Sequence, residues 1–331
     1  MSMKSNNIIS TKVSLSRNLN GHMFPHKLGE KEGKNLTQSI FLAIKNLGGY
    51  STFDFSSIND EVEVEYLAKH YITLELINNS NFSGFAFGKD GNDRIYVNAD
   101  NHIEIVRVND TLNLQEDFDK VNSIDDELSS NLDYAYDTNL GYLTCDLSLI
   151  GTGLKIYVDM FLPAITNLNK TSSVSNMLTK LGVSILDVSQ EYGMDGVYRI
   201  SNTITLGKKE EQIVSIVDNV TKKLLDIEKD AMDEYLRKYK LDDVKNMVYR
   251  AYGTLKNSHL ITKLECSTCL SRVKFGINMG LISFDNEIDF SKILIDTNEE
   301  VLLSKLKTSD DKAVAINRAD YLAKNLENIK R

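Results

Sequence analysis

The stretch Leu140–Ile165, LGYLTCDLSLIGTGLKIYVDMFLPAI, joins a glycine-punctuated loop to a long apolar run, and the rest of the chain can be placed around it. A short strand ends near Thr144, a polar loop follows, and Gly151-Thr152-Gly153 supplies a tight turn where glycine's freedom at positive φ is useful. The apolar segment after the turn reads as a second strand. Standing alone, a GTG tripeptide signals no more than a turn between two strands of a buried sheet.

Downstream of this stretch, the pattern predicts a helix over Thr171–Leu181 and a strand over Gly182–Val188. A further strand closes at Leu206-Gly207, Glu210 opens a long amphipathic helix, and from about Asp230 helix follows helix. Upstream, Leu112–Asn131 is acidic and periodic, as an amphipathic helix with a solvated face would be. Residues 84–108 alternate on both sides of a KDGND turn and read as a β-hairpin. A helix is expected over Asp60–Lys69. Another covers Gly33–Leu47, with Leu36, Ile40, Ala43, Ile44 and Leu47 on one face and Gly48-Gly49 as its stop. Residues 7–25 form an extended entry followed by a loop. Hairpin-type strands in the first two thirds and helices in the last third make an α+β chain.

The 331 residues can bury a substantial core in one large domain plus a smaller one, and 42% hydrophobic content is ordinary for a globular protein. A net charge of -9 without a Lys/Arg block argues against nucleic-acid binding. The N-terminal MSMKSNNIISTK has no apolar signal core and no run is long enough to span a bilayer, so no membrane partner and a cytoplasmic location are expected. Three cysteines do not suggest a disulfide framework. Cys266 and Cys269 form a CxxC with no second pair, on one face of a helix expected over Thr262–Gly276, which favours packing over zinc; no metal site is expected. Arginine is scarce, nine against twenty-nine lysines. That matters wherever a planar, bidentate fork for phosphate is needed.

The chain resembles the phosphagen (ATP:guanido) phosphotransferases, most closely their bacterial protein-arginine kinase (McsB) branch. The resemblance is carried by Arg17-Asn18-Leu19 with Phe24-Pro25, by Asn98 and His102, by Tyr142-Leu143-Thr144 with Gly151-Thr152-Gly153, by YRISNTITLGKKEEQIV (198–214), and above all by VYRAYGTLKNSHLITKLECSTCLSRVKFGINMGLI (248–282). It implies a phosphagen-kinase-like antiparallel sheet flanked by helices, spanning residues 1–228 as a phosphotransferase domain. An all-helical dimerisation domain would follow over 229–331. It also implies Mg-ATP as cofactor if the chain is active, a homodimer through the C-terminal helices, and an activator protein, a repressor or a Clp-type unfoldase as partners.

The same resemblance locates the site. Five arginines that meet nucleotide phosphates in the family fall on Lys12, Ser14, Glu104, Lys155 and Leu186, a change from +5 to +1. His70 matches a histidine near the nucleotide. The paired substrate glutamates become Ala99 and Asp100. The active-site cysteine position holds Asp146, with Cys145 one place before it, and an adjacent carboxylate would raise that thiol's pKa. Glu191 falls on the glutamate of a phosphate-binding loop. The phosphoarginine-sensing motif maps onto Arg318, Ala319, Leu322 and Ala323, with its aspartate and second arginine replaced.

Phosphoryl transfer is mostly positioning and electrostatics. A unit charge at about 4 Å contributes roughly 4 kcal/mol at an effective dielectric near 20. Loss of four such charges predicts a catalytically impaired or inactive protein-arginine kinase homologue. Such a protein would act by binding, as a regulatory pseudokinase in bacterial stress response or protein quality control. The alternative is a divergent but active protein-arginine kinase, with lysines as point-charge phosphate ligands and Cys145 or Asp100 near the substrate. A nucleotide or phosphoarginine sensor without transfer is a third reading, against which the thinning of both sites argues.

Overall fold

The structure, a computed structural model, describes residues 6–284 and 288–326; the first five residues of the N-terminal stretch lie outside them. Its strands are β1 (Ile8–Arg17), β2 (Tyr50–Asp54), β3 (Gly84–Gly88), β4 (Asp93–Val97), β5 (Ile103–Asn109), β6 (Tyr136–Asp137), β7 (Gly141–Tyr142), β8 (Leu154–Phe161), β9 (Val183–Asp187) and β10 (Val197–Asn202). Its helices are α1 (Glu30–Leu47), α2 (Asp60–Ala68), α3 (Leu74–Asn78), α4 (Leu114–Ser129), α5 (Pro163–Asn167), α6 (Thr171–Thr179), α7 (Ser189–Tyr192), α8 (Glu210–Lys238), α9 (Leu241–Asn257), α10 (Lys263–Asn278), α11 (Phe290–Asp296), α12 (Glu299–Leu306) and α13 (Asp311–Asn325).

Eight strands form one sheet in the order β2-β3-β4-β5-β1-β8-β10-β9, and every neighbouring pair is antiparallel. This is the α+β, phosphagen-kinase-like architecture that the sequence led us to expect, with a helical region after it. The chain enters at the middle of the sheet. In β1, Val13 and Leu15 point to one face and Lys12, Ser14 and Ser16 to the other, as the period of two requires. The back face, with Val13, Leu15, Ile105, Ile156, Val158 and Ile200, joins the main core together with buried residues of α1, α4 and α8. On the front face a smaller aromatic cluster of Phe55, Ile72, Leu76, Phe85, Tyr96 and Val106 lies over the β2–β5 half.

Three local expectations need correction. Residues 84–108 are a three-strand meander, because a second turn lies at Asn98, whose backbone is left-handed (φ 53°) and whose N–H donates to the His102 carbonyl. Polar residues at alternate positions of that turn mimic a strand. The strand expected to close at Leu206-Gly207 ends at Asn202, and the segment beyond is held by Thr205, whose hydroxyl donates to the carbonyls of Ser148 and Ile150. The loop after β9 contains a helical turn, α7. Helix α8 opens at Glu210, as expected, and continues unbroken through residues 228 and 229.

In the C-terminal helices, Cys266 and Cys269 are buried in α10 and belong to the main core. Among the described residues, no helix is long and apolar enough to cross a membrane.

Candidate active site

The strand registers decide which side chains share the front face. Lys12 lies opposite Tyr157 and Ser14 opposite Lys155 across β1 and β8, while Ser16 lies opposite Glu104 across β1 and β5. On the far side, Ser201 lies opposite Tyr157 and Arg199 opposite both Asp159 and Leu186. Opposed residues share a face, and so do residues two apart. Lys12, Ser14, Glu104, Lys155 and Leu186 therefore all face the same way, onto the part of the sheet left open beside the aromatic cluster.

Their chemistry differs. Lys12 Nζ lies 3.0 Å from Glu104 Oε1, and burial works against its charge, but the carboxylate more than compensates and its pKa is raised. Lys155 Nζ donates to the Asn202 carbonyl at 2.8 Å, and burial lowers its pKa. The Ser14 hydroxyl donates to the Lys155 carbonyl at 3.3 Å and is buried. Leu186 is 60% exposed and brings no polar group.

Asp100, Cys145 and Asp146 come together beside this row. The Asp100 carboxyl is held above its usual range by burial, then by the charges of Glu75, Glu104 and Asp146. Burial, then Asp100 and Asp146, pushes the Cys145 thiol up, in the direction read from its neighbours in sequence. Cys145 Sγ lies 3.4 Å from His26 Nδ1, and its backbone N–H donates to Asn101. Asp146 caps the short 3-10 turn Leu147–Leu149 through the N–H and hydroxyl of Ser148.

The loop is fixed from beneath by Arg17. Its guanidinium donates to Asp125 on α4 and to the Thr152 carbonyl, and packs 3.6 Å from the centre of the Tyr142 ring. At Gly153 (φ +68°) a Cβ would lie 2.5 Å from the Ser16 carbonyl oxygen, so strand and turn approach closely only because the residue is glycine.

The opposite wall contains two residues that sequence reasoning missed. Arg199 forms a fork on Asp159, with both bonds at 2.8 Å, and also bonds both oxygens of Glu191 at 2.7 and 3.0 Å. Asp159 accepts from Tyr192 as well. The available signal was the charge of Asp159 inside the apolar run KIYVDMF, since a carboxylate buried in a strand needs a cation. His70, also left-handed (φ 53°), lies 3.7 Å from Glu191 and packs against the Tyr192 ring. Burial lowers its pKa, with Glu191 opposing.

His102 accepts from the Leu19 N–H at Nδ1 and meets the Met23 carbonyl at Nε2, an arrangement that fixes the neutral tautomer. Burial takes its pKa down to about 4. Arg318 is buried in α13 and donates to the carbonyls of Thr297 and Ile261. Ala319 and Leu322 are buried beside it, and the Ala323 carbonyl accepts from Lys256. The described residues contain no group of three or more His, Cys, Asp or Glu side chains placed to hold a metal.

Comparison with known proteins agrees with this geometry. Residues 34–231 match the ATP:guanido phosphotransferase C-terminal catalytic domain, and residues 241–331 match the protein-arginine kinase McsB C-terminal domain. The chain is 32% identical over 332 residues to the protein-arginine kinase of Clostridium acetobutylicum, covering 98% of this chain and 97% of the relative. It is 32% identical over 327 residues to that of Clostridium kluyveri, covering 96% and 94%. Among solved structures, the duplicated taurocyamine kinase from Schistosoma mansoni with bound transition state analog components superposes with a TM-score of 0.64 at 20% identity, over 77% of this chain and 39% of that longer one, a likeness of fold. None of these similarities carries the expected loss of catalysis. The chain belongs to the ATP:guanido phosphotransferase family, in its protein-arginine kinase branch.

Proposed function

We propose that the chain transfers the γ-phosphoryl group of Mg-ATP to the guanidinium of a protein arginine. One observation carries this reading: the sheet registers gather Lys12, Lys155 and Arg199 on one open face, beside Asp100 and Glu104, in a chain similar end to end to relatives named protein-arginine kinase. The nucleotide, when bound, supplies the phosphoryl group and a metal that offsets its charge. Lys12 and Lys155 would meet phosphate oxygens as point charges rather than as forks. Asp100 and Glu104 would be the carboxylates that meet the guanidinium. Ser14 and Leu186 add no charge, and burial with the neighbouring Asp100 and Asp146 pushes the Cys145 thiol up, which disfavours the thiolate.

A catalytically silent, binding-only role in stress response or protein quality control is the second reading. It is favoured by one specific observation, that the cations of this face are already engaged: Lys12 by Glu104, Arg199 by Asp159 and Glu191, and Lys155 by a backbone carbonyl. In both readings we assign the phosphotransferase unit to residues 1–228 and self-association to the helices of 229–331. An activator protein, a repressor or a Clp-type unfoldase would be the further partners.

Incubation with Mg-ATP and an arginine-containing protein should yield phosphoarginine, read by mass spectrometry under non-acidic conditions. Lys155→Ala should cut the yield roughly a hundred-fold, the effect of deleting one transition-state charge donor. No phosphoarginine, together with no heat on titrating millimolar Mg-ATP or Mg-ADP, would replace this reading with the binding-only one.

A further inference from the structure

The surroundings of Lys12 have the composition of a cation cage. Its ammonium sits against the Glu104 carboxylate, 5.7 Å from the centre of the Tyr96 ring and 5.8 Å from that of Tyr157. Two tyrosine faces and a carboxylate suit a flat guanidinium better than a spherical ammonium, because the guanidinium can stack on a ring while donating two parallel bonds to the carboxylate. The pair is also open to the front face, with side chains 25% and 20% exposed. Asp100 stands close enough for Glu104 to raise its pKa, so a second carboxylate also favours an incoming cation. Lys12 is thus the resident cation of a site that another cation could take.

We propose that Glu104, with Tyr96 and Tyr157, receives the substrate guanidinium, and that this displaces the Lys12 ammonium to serve the nucleotide phosphates. The inference rests on the phosphotransferase reading for its two ligand classes and adds a coupling between them. A carboxylate that pairs with the guanidinium no longer neutralises Lys12. The freed side chain has a flexible four-carbon stem, and the neighbouring strand presents Lys155 two positions along the register, opposite Ser14. Two amino groups could then meet one phosphate chain. Glu104 acts here as the substrate-binding carboxylate and as the switch that keeps Lys12 paired until substrate arrives. By thermodynamic reciprocity, each ligand must tighten the other by the same factor.

The test uses two ligands that cannot react, Mg-ADP and N-acetylarginine amide, titrated calorimetrically into the full chain at fixed ionic strength. In the wild-type protein, saturating N-acetylarginine amide should tighten Mg-ADP about ten-fold, and Mg-ADP should tighten the arginine ligand equally, within the usual range of such couplings. Glu104→Gln should bind Mg-ADP more tightly unaided and show no coupling; this gain is one that a misfolded variant cannot give. Lys12→Met should still bind the arginine ligand but lose its effect on Mg-ADP. Affinities independent of each other in the wild type, coupling that survives Glu104→Gln, or no binding of the arginine ligand would each overturn the proposal. Since Mg-ADP donates no phosphoryl group, failure of arginine phosphorylation with Mg-ATP would leave a positive result standing, and uncoupled binding would leave phosphorylation standing.

Discussion

Gly153 shows how much of the site depends on one missing methyl. A side chain there would press on the Ser16 carbonyl oxygen and lie 2.7 Å from Arg17 Nη1, in a left-handed backbone that suits glycine. Gly153→Ala should therefore destabilise the fold by about 2 kcal/mol or more, since αL strain and a backbone clash add. Thermal unfolding checks this as a fall of several degrees; an unchanged melting temperature would mean the turn can move away from β1 freely. The turn was legible in sequence from its two glycines. What holds it was not, because Arg17 reaches a carboxylate 108 positions away, Asp125. His102 likewise stands out by type, but only the contacts with Leu19 and Met23 reveal a neutral, structural ring. Residue type announces that a polar side chain needs a partner; the fold alone says which.

Among the elements, α8 was readable and still held a surprise. Its buried positions, including Val217, Thr221, Leu224, Glu228, Ala231 and Tyr235, follow helical spacing, and Glu228 falls on the apolar stripe. There it accepts the N–H groups of Ala164 and Ile165 at 2.7 and 3.0 Å, satisfying free donors in the first turn of α5. Burial outweighs these two bonds and raises its pKa to about 7. An unfolded glutamate ionises near 4.5, so between about pH 4.5 and 7 the folded state holds a proton that the unfolded state has released. The contribution of Glu228 to stability therefore falls as pH rises through that window. Melting temperatures from pH 5 to 8 should show this decline in the wild type and a flatter profile in Glu228→Gln; parallel profiles would place the titration elsewhere. The hairpin reading of residues 84–108 failed for the opposite reason, since alternation records side-chain facing and is blind to a turn whose residues keep the same period.

At the scale of the molecule, the sheet and the C-terminal helices are joined by more than the continuous α8. Asp195, in the turn before β10, accepts the hydroxyls of Ser267 and Thr268 on α10 at 2.8 and 2.7 Å. Lys307, just after α12, pairs with Glu61 on α2 at the surface. Asp195→Ala would leave two hydroxyls without that acceptor, a loss of about 1–3 kcal/mol. Hydrogen exchange should speed up in α10 while β1, β5 and β8 keep their protection; an equal change everywhere would show that the two regions unfold as one. The sheet itself has a consequence for how such a chain can change over generations. Stability is lodged in the aliphatic back face, and the polar residues that would handle ligands project from the front of the same strands. A substitution at Lys12, Ser14, Glu104, Lys155 or Leu186 alters the second without removing a side chain from the first. Selection can therefore rewrite the working surface one residue at a time, with little risk of losing the scaffold that bears it.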